Sequence, residues 1–280
     1  MPFNPIGCFM AITTTHHAIL SHVLAEQRIE AGSINSICEI GEQNWFYFKS
    51  PYCDELVGNL IEERASNSAE KADWKQRYEG FLSPTENRFW AWNVARLYYE
   101  MMFGPYRYMA LDMHGTPDST FVDLNQEYSC DQEFDLVTNL GTTEHIFNQA
   151  QVFKTIHDLT AVNGVMFHGL PHQGQYDHGF FNYQPTFFFD LAAANDYQII
   201  FFGLLNITTR DQREHHHVEA ISDETTYRRL VEQNKIEPQA ALKVFLRKTK
   251  KSSFVMPQQG VYGENPDVEK KKFWENYSRR

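Results

Sequence analysis

"FDLVTNLGTTEHIFNQ", residues Phe134 to Gln149, changes character at its centre. Phe134 to Leu140 reads as a strand, Gly141 stops it, and a helical pattern then runs to Leu159. Thr142, Thr143, Glu144 and His145 therefore fall on a strand-to-helix corner. In an open α/β sheet, ligands bind outside the carboxyl ends of the strands, so polar chemistry is expected here. A second reading is local: Thr142 or Thr143 caps the helix, and Glu144 favours its positive end.

Working outward, the same alternation recurs. "SINSICEIG", "YRYMALDMHG", "STFVDLN", "VMFHGLP", "YQIIFFGLLNIT" and "ALKVFLRKT" read as further strands. "NQAQVFKTIHDLTAVNG", "QPTFFFDLAAAND" and "DETTYRRLVEQN" read as helices between them. Strands alternating with helices predict an α/β fold, a Rossmann-like, mostly parallel seven-stranded sheet with helices on both faces. The last two strands are expected to place an antiparallel strand at the sheet edge. Residues 51–104 are too long for a simple crossover and predict a helical insertion after the first strand. Its last helix, "SPTENRFWAWNVARLYYEMMFG", begins with a capping pattern at Ser83, Pro84 and Glu86 and ends at Gly104. The expected organisation is an N-terminal helical segment over 1–33, one α/β domain over 34–248, and a charged extension over 249–280.

Composition narrows the partners. A net charge of −11 argues against nucleic acid, whose phosphates attract basic surfaces. No apolar run reaches the length of a membrane span, and no secretory leader is read in the first twenty residues. Cys8, Cys38, Cys53 and Cys130 form no CxxC pair and suit a cytoplasmic protein. The chain allows a homodimer. With 22 Phe and 14 Tyr, some rings are expected to line a pocket as well as the core.

Three strand ends carry acids in order. "CEIGEQNW" places Glu39 before Gly41, and glycine lets a ligand approach the backbone. Glu42 follows directly where a phosphate-binding turn has a second glycine, and its charge would repel a diphosphate, so an adenosine without phosphate fits better. Asp112, ending "ALD", can accept from both ribose hydroxyls. Asp123 in "FVDLN" can accept from an adenine amino group, with the Leu124 backbone against the ring edge. Either aspartate alone also fits an ordinary turn.

These stretches together resemble the class I S-adenosylmethionine-dependent methyltransferases. The resemblance spans about residues 34–248 and rests on "CEIGEQ", "ALDMHG", "FVDLN", "FDLVTNLGTTEHI" and "NGVMFHGLP". It implies S-adenosylmethionine as cofactor, held by Glu39, Gly41, Gln43, Asp112, Asp123, Leu124, Asn139 and Gly141. It also implies that Thr142, Thr143, Glu144 and His145 face a small-molecule methyl acceptor.

"FHGLPHQGQYDHGFFNYQP" follows the next strand with three histidines, His168, His172 and His178. It is too polar for core and reads as an acceptor-binding lid, with His172, Phe181 and Tyr183 contacting the acceptor. His178 first and His168 second are the candidate bases, because imidazole titrates near neutrality. Glu144 and His145 complete the catalytic candidates. His168, His172 and His178 with Glu144 make a partial ligand set, but Gly169, Pro171 and Gly174 break the helix that a compact motif needs, so no metal is assigned. "EHHHVE" around His215 to His217 is tag-like. The expected function is a transferase moving a methyl group to an O or N nucleophile. The rivals are a non-catalytic cofactor-binding protein on the same fold and a metal-dependent hydrolase using the His168–His178 loop.

Overall fold

Neighbouring residues of the central strands are buried on opposite faces. Ile37, Leu136, Phe167 and Phe245 belong to one apolar core, and Cys38, Val137, Met166 and Val244 to the other. A strand buried on both faces needs helices on both. The computed structural model describes residues 11–45, 51–82, 88–210 and 213–260. The Ser83–Glu86 capping pattern, Cys8 and the chain beyond 260 lie outside them.

In chain order, the strands are β1 (Ala11–Ile12), β2 (Ser36–Ile40), β3 (Asn44–Trp45), β4 (Arg107–Asp112), β5 (Thr120–Phe121), β6 (Phe134–Leu140), β7 (Thr160–Gln173), β8 (Tyr197–Arg210), β9 (Arg213–Ala220) and β10 (Gln239–Lys248). The helices are α1 (Thr14–Ala25), α2 (Pro51–Arg64), α3 (Ser68–Phe81), α4 (Trp90–Phe103), α5 (Gln149–Leu159), α6 (Pro185–Asn195) and α7 (Glu224–Glu232). β1 and β3 form a small parallel pair. The other eight strands form one sheet in the order β5-β4-β2-β6-β7-β10-β8-β9. From β5 to β7 every pairing is parallel.

Two expectations need correction. The sheet has eight strands, not seven, because the long β8 turns back into β9. The histidines of "EHHHVE" therefore sit on an edge strand, where polar side chains are usual because they discourage pairing with another chain. Second, β10 is not at the edge. It runs antiparallel between β7 and β8, and its near-continuous burial, from Ala240 to Leu246, suits an interior position. The antiparallel edge strand is β9.

One face carries α1 and the helical insertion α2–α4, whose Val23, Val57, Val94 and Leu97 bury against Ile37 and Leu136. The other carries α5, α6 and α7 through Val152, Phe188 and Leu230. Gly104 ends α4 at φ 83°, a backbone angle that favours glycine.

Candidate functional site

β2 and β6 are parallel neighbours, and each ends in a glycine with positive φ: Gly41 at 75° and Gly141 at 79°. From β2 the chain builds β4 and β5 on one side, then returns to add β6 on the other. The two glycines thus flank the reversal of strand order, where open α/β sheets hold ligands. A Cβ on Gly41 would stand 2.2 Å from Thr142 Oγ1. That hydroxyl is buried and has no hydrogen-bond partner.

Asp112 links the first corner to the second. Its Oδ2 accepts from Glu42 N at 2.8 Å and its Oδ1 from His114 N at 2.6 Å. Each carboxylate oxygen retains another lone pair for a ligand. Glu42 does not project into the corner as a free charge. Arg96 Nη2 donates to Glu42 Oε1 at 2.5 Å, Thr116 N to Oε2 at 2.5 Å, and Thr116 Oγ1 to Oε1 at 2.8 Å. Burial disfavours the charged form of Arg96, but its bonds to Glu42 and Asp118 outweigh this and raise its pKa. Arg96 and Thr116 were not legible as site residues. They lie 54 and 74 positions from Glu42, and nothing local marks either.

Glu39 lies beneath the corner, fully buried. Its Oε2 accepts from Gln43 N at 2.8 Å and from Tyr108 Oη at 2.6 Å. Gln43 Nε2 donates to Gly41 O at 2.7 Å. Burial pushes the Glu39 carboxyl up to about 8, against the pull of its bonds from Tyr108 and Gln43. The folded state therefore holds a proton that the unfolded state has already lost between pH values of about 4.5 and 8. Stability from this group is present below that window and lost as pH rises through it. Glu39→Gln should gain on wild type by a few kcal/mol, on the order expected for a shift of several units, between pH 5 and 8. Urea unfolding of both proteins at each pH checks this; a constant difference would contradict it.

Asp123 closes its own turn, accepting from Asn125 N at 2.9 Å. Those bonds from Asn125 lower its pKa. Leu124 is buried beside it. Asn125 reaches the fourth corner: its Oδ1 accepts from Asn148 N at 3.1 Å.

At that corner, Thr143–His145 form a 3₁₀ turn, and α5 starts only at Gln149. Asn148 is the cap, accepting from Gln151 N, and Thr142 makes no capping bond. The capping reading therefore does not apply to Thr142, Thr143 or Glu144. Asn139 donates through Nδ2 to Thr143 Oγ1 at 2.9 Å and lies 3.1 Å from His168 Nδ1. Its Oδ1 accepts from Thr143 N at 3.2 Å. Tyr183 Oη lies 3.0 Å from Thr143 Oγ1 and donates to Gln149 Oε1 at 2.7 Å. Asn139, Thr143 and Tyr183 thus form a buried network that fixes the turn.

The three loop histidines separate. His168 is enclosed on β7, and burial pulls its pKa down to about 3. With Asn139 donating to Nδ1, its proton sits on Nε2. His172 Nδ1 donates to Tyr183 O at 2.8 Å, so its Nε2 accepts from Tyr227 Oη at 2.9 Å. Both nitrogens are occupied, and burial lowers its pKa. His178 meets the other corner instead. Its Nε2 lies 3.7 Å from Glu144 Oε1, and its ring meets that of His145 edge-on at 4.9 Å. Phe180 N and Phe181 N donate to Glu144 O at 2.8 and 3.2 Å and set this approach. A Cβ on Gly179 would stand 2.9 Å from the same oxygen, so the loop presses closely on the turn.

Glu144 is fully buried, and neither carboxylate oxygen has a hydrogen-bond partner. Burial lowers the pKa of His145, with Glu144 opposing. Lys243 and His16 form a further buried pair at 2.5 Å. Burial pulls the Lys243 ammonium down to about 7 while the charge of Glu144 opposes. His16 comes from α1, and its packing against β10 has no signal in local sequence. Phe147, Phe180 and Phe181 form an aromatic rim on this side, Phe147 meeting Phe180 edge-on at 5.9 Å.

No family model and no curated protein matches the chain. Several solved structures similar to it are S-adenosylmethionine-dependent methyltransferases. One, from Thermotoga maritima, is 10% identical over 84% of this chain and 95% of its own, with a TM-score of 0.34. Another is the Burkholderia thailandensis 1,6-didemethyltoxoflavin-N1-methyltransferase, with 1,6-didemethyltoxoflavin and S-adenosylhomocysteine bound. It is 12% identical over 73% of this chain and 92% of its own, with a TM-score of 0.29. A glycopeptide N-methyltransferase complexed with sinefungin is 10% identical over 86% of this chain and 96% of its own, with a TM-score of 0.28. Overlap at these scores is loose, and the fold stands on the strand order itself. No helix among the described residues is long and apolar enough to cross a membrane.

Proposed function

We propose that the chain is an S-adenosylmethionine-dependent methyltransferase acting on an O or N nucleophile of a small molecule. The observation that carries this reading is the paired corner at the reversal of strand order. Gly41 and Gly141 open it, Thr142 presses against Gly41, and Asp112 stands at the end of the adjoining strand. These residues fit the cofactor. Gly41, at positive φ, lets the turn after β6 pack against it, Asp112 presents lone pairs to ribose hydroxyls, and Glu42 stands where a diphosphate-binding turn has its second glycine.

When bound, S-adenosylmethionine supplies an electrophilic methyl group on a sulfonium. The chain's part is alignment, exclusion of water and management of the acceptor's proton. Asp112 and the backbone at Gly41 hold the adenosine end. Gly141 and the turn after it, braced by Asn139 and Tyr183, separate cofactor from acceptor. His178, beside Glu144, takes the acceptor's proton. His168 is given no proton-transfer role, because its enclosure keeps it neutral across the working pH range. Phe147, Phe180 and Phe181 face a planar acceptor. We place the protein in the cytoplasm, with no nucleic-acid partner, and keep the α/β unit at 34–248.

Millimolar S-adenosylmethionine or S-adenosylhomocysteine should raise the melting temperature. A ligand at a hundred times its Kd adds about 2.7 kcal/mol, roughly 5–10 °C for a chain of this size. No shift with either compound rules out the proposal. A shift with no turnover on any acceptor favours the non-catalytic rival.

A further inference from the structure

We propose that Glu144, His145 and His178 bind one divalent transition-metal ion. The sequence presents His168, His172 and His178 with Glu144 as a partial ligand set and assigns no metal; it leaves out His145, which stands 33 positions before His178. His168 and His172 are engaged by Asn139, Tyr183 and Tyr227. Glu144, His145 and His178 each offer a ligand atom, and the three atoms lie within 4.8 Å of one another. Ligands about 2.0–2.2 Å from a shared tetrahedral ion stand roughly 3.3–3.6 Å apart, so rotation of the two half-buried rings by about 1 Å at the ligand atoms brings them into place.

The independent observation is the Glu144 carboxylate. It is fully buried with neither oxygen hydrogen-bonded. A buried carboxylate left this way is costly unless it pairs with a cation or coordinates a metal. His178 at 3.7 Å is beyond hydrogen-bond distance. The backbone bonds from Phe180 and Phe181 hold the loop where both imidazoles face this carboxylate.

Two imidazoles and one carboxylate suit zinc, iron(II), cobalt(II) or nickel(II) better than magnesium or calcium, which prefer all-oxygen sets. Three protein ligands leave coordination positions open, as in sites where the ion also holds a substrate. Phe180 and Phe181, bound through their backbone to Glu144 O, place the aromatic rim beside the cluster. If the methyltransferase reading holds, the open position takes an oxygen of the acceptor and lowers its pKa. His178 then serves as a ligand, and the ion performs the activation assigned above to its imidazole. The metal site itself does not depend on that reading.

The test is titration of metal-free, full-length protein with zinc by calorimetry, with cobalt(II) absorption as a second readout. Wild type should bind one ion, and Glu144→Gln and His178→Ala should each weaken binding at least tenfold. His217→Ala, on the exposed edge strand, should change nothing. Equal binding by wild type and His178→Ala, loss of binding in His217→Ala, or no binding by wild type would each overturn the proposal. Melting curves without metal check that the variants fold. S-adenosylhomocysteine binding is measured separately on the metal-free protein, so failure of the metal site and failure of the methyltransferase reading give different results.

Discussion

His178→Ala should cut methyl transfer by roughly 10²–10⁴-fold, the usual range for removing a proton-transfer group, while leaving cofactor affinity nearly unchanged. His178 is half-buried in the loop after β7, and its ring stands against Glu144 and His145, on the turn that follows Gly141. On the proposed reading, its loss removes a group from the acceptor side alone. The measurement is kcat with the true acceptor beside calorimetric affinity for S-adenosylhomocysteine. Equal losses in both would mean that the loop folds over the cofactor, and an unchanged rate would reduce His178 to a positioning residue.

Gly41→Val should abolish detectable cofactor binding and destabilise the protein. At φ 75° a β-branched residue is strained, at a cost of order 1–3 kcal/mol. Its Cβ would stand 2.2 Å from Thr142 Oγ1 and 2.9 Å from Thr142 Cγ2. Relieving that overlap pushes β2 from the turn after β6, and overpacking of this kind costs roughly another 1–3 kcal/mol. Thermal unfolding gives the stability loss and calorimetry the binding loss. Gly41→Ala places its Cβ at the same 2.2 Å from Thr142 Oγ1 and should shift both readouts in the same direction. A Gly41→Val protein that melts and binds like wild type would remove the corner from the site.

Much of this architecture was written locally. The parallel strands of the large sheet were read from the sequence, with Gly41 and Gly141 as the residues that stop two of them, but the small β1–β3 pair was not. Contacts across the sheet were not. β10 slips between β7 and β8 because its burial demands two neighbours, and a sequence window cannot see which strands supply them. Glu42 looked like a free charge until Arg96 arrived from α4 to hold it. Thr142 and Thr143 looked like helix caps, but the chain spends one 3₁₀ turn before Asn148 caps α5. The histidine cluster was half visible. His178 and Glu144 were chosen for their chemistry, but the partnership with His145 depends on how the loop after β7 folds back, through backbone bonds that side-chain identity does not announce.

The central claim is that S-adenosylmethionine binds over the glycine corners of β2 and β6. A crystal of the full-length protein soaked in millimolar S-adenosylhomocysteine tests it most directly. The account predicts difference density above Gly41, with the ribose hydroxyls on Asp112 and the sulfur directed toward the turn at Thr142. Density elsewhere in the molecule, or none at a concentration that saturates binding in solution, would contradict it.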